Sequence, residues 1–440
     1  MAIRYKSIDK NNHKVDYYSY LRIRIKKVYH MKHILFMAAF VALFTSCSKQ
    51  EAVEISIFNP IAQARSEEMV EIQASEIYEK LGLTDTSSFV VYNEKAEEVP
   101  YQLTYDNKII FPVEVAEGAT VKYTVQEGMP ATVAAMVYGR QYPERLDDMT
   151  WENDRAAYRA YGPALQTLGE KAYGYDVFTK RGTKELVVEE RYAKELHPVL
   201  RPKVQQLKKE GKMKEAKAIE ATISYHIDQG NGMDAYAVGP TLGGGAAALY
   251  VDNELVYPYC YKDYEILDNG PLRFTVKLVF TPLAVKDNAD VIETRIIQLD
   301  AGSHLNKTTI RYSALAEKTP IAAGLVIHAA HPDRYTLDAP AGYIAYADPS
   351  TNVNANNGII YVGVVFPNVM QEAKAEMFKA PHGDAIGHVL AVGEYNPESD
   401  FVYYWGSGWS KAGFADDNSW NEYLKKYAGC VRNPLKITIQ

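Results

Sequence analysis

The chain has little cysteine, no apolar run long enough to cross a membrane, and none of the usual nucleotide or esterase motifs. Its three cysteines, Cys47, Cys260 and Cys430, are spread over 440 residues. Their spacing excludes a disulfide scaffold and a Cys-type metal site. The run Ile34–Leu43 falls well short of the roughly 20 apolar residues that span a bilayer. No Gly-x-Ser-x-Gly elbow occurs, which argues against the usual serine esterase. No Rossmann fingerprint occurs either. The glycines of Gly239-Pro-Thr-Leu-Gly-Gly-Gly-Ala246 lack the Lys-Ser/Thr pair of a phosphate loop, so they read as a packed turn or a close backbone approach.

What is present begins with an export signal. Met31-Lys-His-Ile-Leu-Phe-Met-Ala-Ala-Phe-Val-Ala-Leu-Phe-Thr-Ser-Cys47 has a basic start, an apolar stretch and small residues leading into a cysteine, the order of a lipoprotein signal peptide. Residues 1–46 are therefore expected to be removed and Cys47 to be lipidated, placing the protein in the cell envelope, in the periplasm or at the outer-membrane surface. The whole chain carries 48 basic and 55 acidic residues. The leader holds 9 basic and 2 acidic ones, so the mature chain has 39 against 53, a formal charge of −14. Nucleic-acid phosphates would repel such a protein, and its Lys and Arg form no reading face. Outside the cytoplasm ATP and nicotinamides are not at hand, which removes kinases and dehydrogenases. Cys260 and Cys430 then either form one disulfide in an oxidising compartment or remain two buried thiols.

About 394 mature residues suggest two domains. Short alternating segments at Val53–Phe58, Met69–Ile72, Phe89–Tyr92, Tyr101–Tyr105, Lys108–Val113 and Val121–Val125, with a helix at Ser75–Leu81, predict a small β-sandwich over 47–128. Over 129–440 strands are expected at Phe274–Phe280, Val291–Leu299, Lys307–Ala314, Ile321–His328, Tyr343–Ala347, Gly358–Val365 and Phe401–Trp405. Their spacing without intervening helices predicts a large, mostly antiparallel all-β sandwich. Residues 189–221 read as a charged helical hairpin, and Asn418–Gly429 as a helix with an Asn cap and a Gly stop.

Polar chemistry gathers in a few places. Residues 138–155 hold five carboxylates, three arginines, two tyrosines and a tryptophan. Aromatic plates beside carboxylates and amides suit sugar recognition, and arginines pair with a uronate carboxylate. Ser224–Tyr236 holds Tyr225, His226, Asp228, Asp234 and Tyr236. If it begins as a strand, His226 and Asp228 share a face, and a histidine near carboxylates can act as a general base. His328-Ala-Ala-His331-Pro-Asp333 could hold a divalent ion but lacks the Glu of a His-Glu-x-x-His site; no cofactor is expected. Pro381–His388 reads as a flexible loop with two histidines, and Tyr403-Tyr-Trp405 as an aromatic strand end. The catalytic candidates are His226, Asp148, Glu152 and Asp154. The substrate-binding candidates are Arg140, Arg145, Trp151, Asn153, Arg155, Tyr225, Asp228, Asp234, Tyr236, His331 and Trp405.

The motifs Tyr138-Gly-Arg, Glu144-Arg-x-Asp-Asp-x-x-Trp-Glu-Asn-Asp-Arg155, Tyr225-His-x-Asp-x-Gly-x-Gly-Met-Asp-x-Tyr236 and Asn269-Gly-Pro-Leu-Arg273 resemble one family. It is a domain-of-unknown-function family of Bacteroidetes lipoproteins, encoded among polysaccharide-utilisation genes that are often pectin-type. The resemblance implies a galactose-mutarotase-like supersandwich and carbohydrate work, but brings no catalytic assignment. Three readings follow. One is an enzyme on acidic oligosaccharides, either a hydrolase with paired carboxylates among Asp147, Asp148, Glu152 and Asp154, or a lyase in which Arg140 or Arg155 holds the uronate while His226 or a tyrosine takes the proton. The second is a glycan-binding lipoprotein without catalysis. The third is a structural envelope protein, which would leave the polar clusters scattered and ion-paired.

Overall fold

The structure is a computed structural model that describes residues 52–181, 185–351 and 355–440; Cys47 and the leader lie outside them. Residues 52–440 form one compact unit. The ladders between its strands are antiparallel, so the chain is an all-β protein with helical insertions.

The first layer pair is the small sandwich. One sheet runs in the order Lys436–Ile439, Ala52–Phe58, Thr120–Glu127, Phe89–Tyr92, Glu98–Val99. The other is Arg65–Gln73, Lys108–Val115, Gln102–Leu103. Strict alternation builds it: Val53, Ile55 and Ile57 point inward from Ala52–Phe58 and meet Val70, Ile72, Phe111 and Val113. The helix Ala74–Leu81 closes one end through Ile77 and Leu81, and stops at Gly82, which takes a left-handed φ of 63°. The last strand corrects the expected domain boundary. Lys436–Ile439 returns from the far end of the chain to pair with Ala52–Phe58, because its Ile437 and Ile439 pack on that core.

The large body stacks a nine-stranded sheet, running from Tyr261–Asn269 to Tyr335–Asp338, on a five-stranded sheet centred on Thr319–His328. Thr319–His328 is buried on both faces, which explains its continuous apolar run. Asn288–Asp300 alternates cleanly, but its inward residues include Glu293 and Arg295 beside Val291, Ile297 and Leu299. These two charges survive in the core because they pair with each other, while Arg295 also donates to Tyr175 OH at 2.9 Å and to Ala247 O at 2.6 Å.

A four-stranded sheet completes the body in the order Tyr175–Thr179, Ala156–Ala160, Asp148–Glu152, Tyr138–Tyr142. One face, with Met149, Trp151, Tyr158 and Val177, joins the main core. The other carries Asp148, Thr150, Arg159 and Asp176 and is covered by Val188–Glu195 and the segment after it. The expected helical hairpin is three helices, Val188–Glu195, Leu200–Lys209 and Met213–Ile223, the last two sharing a small core of Val204, Leu207, Ala216 and Ile223. The C-terminal helix spans Asp417–Arg432, capped by Asp416 and Ser419. It passes through Gly429 rather than stopping there, since Trp420, Leu424 and Ala428 dock on the sheet and Arg432 reaches the carbonyls of Ala341 and Pro367.

Candidate functional site

Strand geometry places the site on the polar face of the four-stranded sheet. In Asp148–Glu152 the side chains of Asp148, Thr150 and Glu152 share one face and those of Met149 and Trp151 the other. Register sets Arg159 beside Thr150 on one side and Asp176 on the other. The Arg159 guanidinium is buried at the centre of three carboxylates. It donates to Asp148 Oδ2 at 3.4 Å, to Asp234 Oδ2 at 3.1 Å and to Asp176 Oδ2. Tyr161 OH donates to Asp176 at 3.0 Å. Tyr192 OH donates to Asp148 at 3.4 Å and shares a 3.0 Å bond with Thr150.

Three buried acids around one buried cation cannot all ionise cheaply. Burial lifts Asp148 to about 6, with Asp176 adding to the rise and Arg159 and Arg145 opposing it. Burial and then Asp176 lift Asp234 to about 7 against Arg159 and His226. Among the described residues Asp148 Oδ1, Arg159 Nε and Tyr236 OH are buried without a hydrogen-bond partner.

His226 and Arg145 stand at the edge of this cluster. The segment after Ser224 is a turn, not a strand, and Asp234 N closes it by donating to Tyr225 O at 2.9 Å. Gly232 makes the turn possible: its φ is 102° and a Cβ there would lie 2.0 Å from Thr179 O. His226 Nδ1 lies 2.9 Å from Asp234 O and 3.6 Å from Asp234 Oδ2, with 55% of the side chain exposed. Donation from Nδ1 to that carbonyl leaves the Nε2 lone pair free. Arg145 is half-buried and makes a 3.2 Å bond from Nε to Tyr225 OH; among the described residues it has no carboxylate within ion-pairing distance. Two successive left-handed residues, Leu146 (φ 57°) and Asp147 (φ 63°), set its position. That conformation is costly outside glycine. Tyr261 OH holds the Asp147 carbonyl, and only a glycine fits at Gly162, where a Cβ would come within 2.0 Å of Asp147 O.

The structure thus joins Arg145 and Asp148 from the first cluster to Tyr225, His226 and Asp234 from the second. Tyr236, two residues after Asp234, is buried beside His328. The other expected residues lie elsewhere, each for a structural reason. Glu152 is buried, bound to Lys180 at 2.7 Å and to the amides of Val187 and Val188 at the start of a helix. Trp151 and Trp405 are fully buried and offer no plate to a sugar. The Trp151 indole donates to Asn306 and the Trp405 indole to Thr308. Asn153 ties the turn before Arg155 to the carbonyls of Asp300 and Ser303. Asp154 accepts from Gly302 N, and Arg155 pairs with Glu67 of the small sandwich. Arg140 is taken by Glu144 and Glu189, so neither it nor Arg155 is the arginine near His226.

Asp228 faces away from His226, because it accepts from Arg181 and from the amides of Gly230 and Gly232. His331 Nδ1 is spent on Ala347 O at 3.0 Å, while His328 Nδ1 meets Asp348 at 2.5 Å, so the two histidines do not converge on one ion. His388 is not on a loop but in the strand Ala385–Tyr395, where it accepts from Leu242 N at 3.0 Å. Burial, then His382, pushes it down to about 3. The glycine run 243–245 is a close backbone approach and not a turn: Gly244 and Gly245 open the strand Gly244–Val251, and a Cβ on Gly245 would lie 2.6 Å from Trp405. Cys260 and Cys430 are unbridged.

Sequence reasoning missed Arg159, Asp176 and Tyr161. The available signal was a single charge inside each apolar stretch, Ala156-Ala-Tyr-Arg159-Ala and Tyr175-Asp176-Val-Phe, where burial demands a partner.

Residues 57–437 match the family described as "Domain of unknown function (DUF4861)". The chain belongs to that family. The DUF4861 match enters at the first strand and ends in the last, so it takes in both sandwiches. "Uncharacterized protein P7" of Formosa agariphila is 24% identical over 439 residues, covering 93% of this chain and 100% of the relative. Among solved structures, the chain is similar to a protein in glycosyl hydrolase family 38 from Enterococcus faecalis, with a TM-score of 0.43 at 9% identity over 93% of this chain. An α-mannosidase from Enterococcus faecalis aligns with a TM-score of 0.39 at 10% identity, again over 93% of this chain. The chain spans about half the length of these two, 50% and 48%.

Proposed function

We propose that this DUF4861 protein is an exported lipoprotein, anchored through Cys47, that cleaves acidic, pectin-type oligosaccharides by β-elimination. The observation that carries the reading is the placing of an outward His226 and of Arg145, which has no ion-pair partner among the described residues, on either side of Tyr225. Elimination next to a uronate needs a base for the proton on the carbon bearing the carboxylate and a cation to stabilise the charge that builds there. Arg145 binds the sugar carboxylate and His226 Nε2 takes the C5 proton. The C4–O bond then breaks as the C4–C5 double bond forms, the departing oxygen takes a proton from water, and His226 returns the C5 proton to solvent. Asp234 is a positioning residue: its carbonyl fixes the imidazole and its carboxyl lies behind the ring. Asp148, Asp176 and Asp234 are too deeply buried around Arg159 to flank a glycosidic bond themselves, which favours elimination over hydrolysis by paired carboxylates.

The test is incubation with oligosaccharides from pectin and rhamnogalacturonan, read by product chromatography for wild type and His226→Ala. Wild type should release unsaturated uronides, and the variant should lose about 100-fold or more in rate. Saturated products alone would make the protein a hydrolase; binding without products would make it a capture protein; undiminished turnover by His226→Ala would remove the histidine from the mechanism.

A further inference from the structure

A pocket of about 220 Å³ lies in the large body between the edge strand Tyr335–Asp338 and the first turns of the helix Asp417–Arg432. It is unrelated to the His226 cluster and uses the His328–Tyr335 motif that the mechanism leaves over. Drug-sized sites occupy ~300–1,000 Å³, so this one has room for about a single sugar ring. Its floor is aromatic and methyl, formed by the edges of Tyr346, Tyr361 and Trp420 with Ala345 and Ala347, all of them almost fully buried. Tyr335 is half-exposed and offers ring surface.

The polar groups around it come in pairs fixed in advance. Asn421 Nδ2 donates to Thr336 Oγ1 at 2.9 Å, so its carbonyl oxygen remains an acceptor. Arg334 forks onto Asp417, with Nε 3.1 Å from Oδ2. Exposed Asp333 adds a further carboxylate. The loop that carries them is pinned, since His331 Nδ1 meets Ala347 O at 3.0 Å and Ala347 N donates to Arg334 O at 3.0 Å. This gives His331 a role as the clasp of a binding loop. The amides of the adjoining helix are already capped by Asp416 and Ser419, so they contribute no anion site.

We infer that this pocket binds one neutral sugar unit. One accessible ring, Tyr335, beside an amide, a hydroxyl and a carboxylate–guanidinium pair matches a ring with a C–H face and a rim of hydroxyls. An acidic sugar is disfavoured, because Asp417 already occupies the Arg334 fork and Asp333 leaves the lining net negative. The inference rests on the carbohydrate part of the proposed function, not on its elimination chemistry.

The test is ligand-observed NMR titration of the full chain with D-galactose, L-rhamnose, D-glucose and D-galacturonate, for wild type, Tyr335→Ala, Thr336→Val and His226→Ala. At least one neutral sugar should bind wild type and His226→Ala equally, with D-galacturonate tenfold weaker or more. Tyr335→Ala and Thr336→Val should each weaken binding by tenfold or more while keeping the wild-type melting temperature within a few degrees. If no neutral sugar binds, or if both pocket variants bind as wild type does, the inference is overturned. Loss of binding in His226→Ala would also overturn it, by assigning the sugar to the other site. Unchanged turnover by His226→Ala, by contrast, would sink the elimination reading and leave this pocket standing.

Discussion

At the scale of single residues, Arg159 and Arg140 show how differently one guanidinium can matter. Arg159 is buried among three carboxylates, so Arg159→Met strands their charge in the interior and should cost about 3–5 kcal/mol. Arg140 pairs with Glu144 and Glu189 near the surface, and Arg140→Ala should cost at most about 1 kcal/mol. Urea unfolding of the two variants checks the contrast. The same cluster makes stability depend on pH. Burial lifts Asp148 to about 6 and Asp234 to about 7, whereas the unfolded chain releases these protons near pH ~3.9. The folded state therefore holds the extra protons, and their contribution is full below about pH 4 and is lost as pH rises to about 7. Asp234→Asn should flatten that decline, read as urea midpoints at a series of pH values from about 5 to 8; an unchanged slope would mean that Asp234 ionises normally.

Elements were legible where alternation spoke for them. The spacing in Ala52–Phe58, Phe274–Phe280 and Asn288–Asp300 marks each as a strand, because one face or both meet apolar neighbours. The four strands of the site sheet were not foreseen. Asp148–Glu152 and Tyr175–Thr179 are buried on both faces yet carry charges, which breaks the alternation that a sequence shows. The turn at Tyr225–Asp234 was hidden for a related reason: its shape depends on Gly232 meeting Thr179, far away in sequence. The C-terminal strand is the clearest case of a tertiary decision. Four residues, Lys436–Ile439, join a sheet begun nearly 400 residues earlier, which no local pattern announces. Deleting residues 434–440 should bare the edge of Ala52–Phe58 and unseat Ile437 and Ile439. Limited proteolysis should then cut within residues 52–128 first; equal resistance of the truncated and whole proteins would mean that the strand is an accessory.

At the scale of the whole molecule, the all-β architecture was readable from the chain, while the contacts that join the two sandwiches were not. Gln102 of the small sandwich accepts from the amides of Leu272 and Arg273 at 2.8 Å, and Arg273 pairs with Glu71 and Asp300. The motif 269–273 is thus a weld between the sandwiches, and Asp154 and Arg155 reinforce it through Gly302 and Glu67. Of the two polar clusters legible in the sequence, Asp154 and Arg155 of the first serve this framework, while Arg145 and Asp148 of the first and Tyr225, His226 and Asp234 of the second converge. That convergence could be suspected from residue type, but its centre, Arg159, could be found only in three dimensions. The central claim is that Arg145 holds an acidic sugar while His226 removes its proton. Its most direct measurement compares turnover of a uronate oligosaccharide with that of its carboxyl-reduced counterpart, for wild type and Arg145→Gln, by the absorbance of the unsaturated product. Wild type should give product on the acidic substrate alone, with Arg145→Gln slower by about 100-fold or more. Comparable rates on the two substrates, or undiminished turnover by Arg145→Gln, would contradict the central claim.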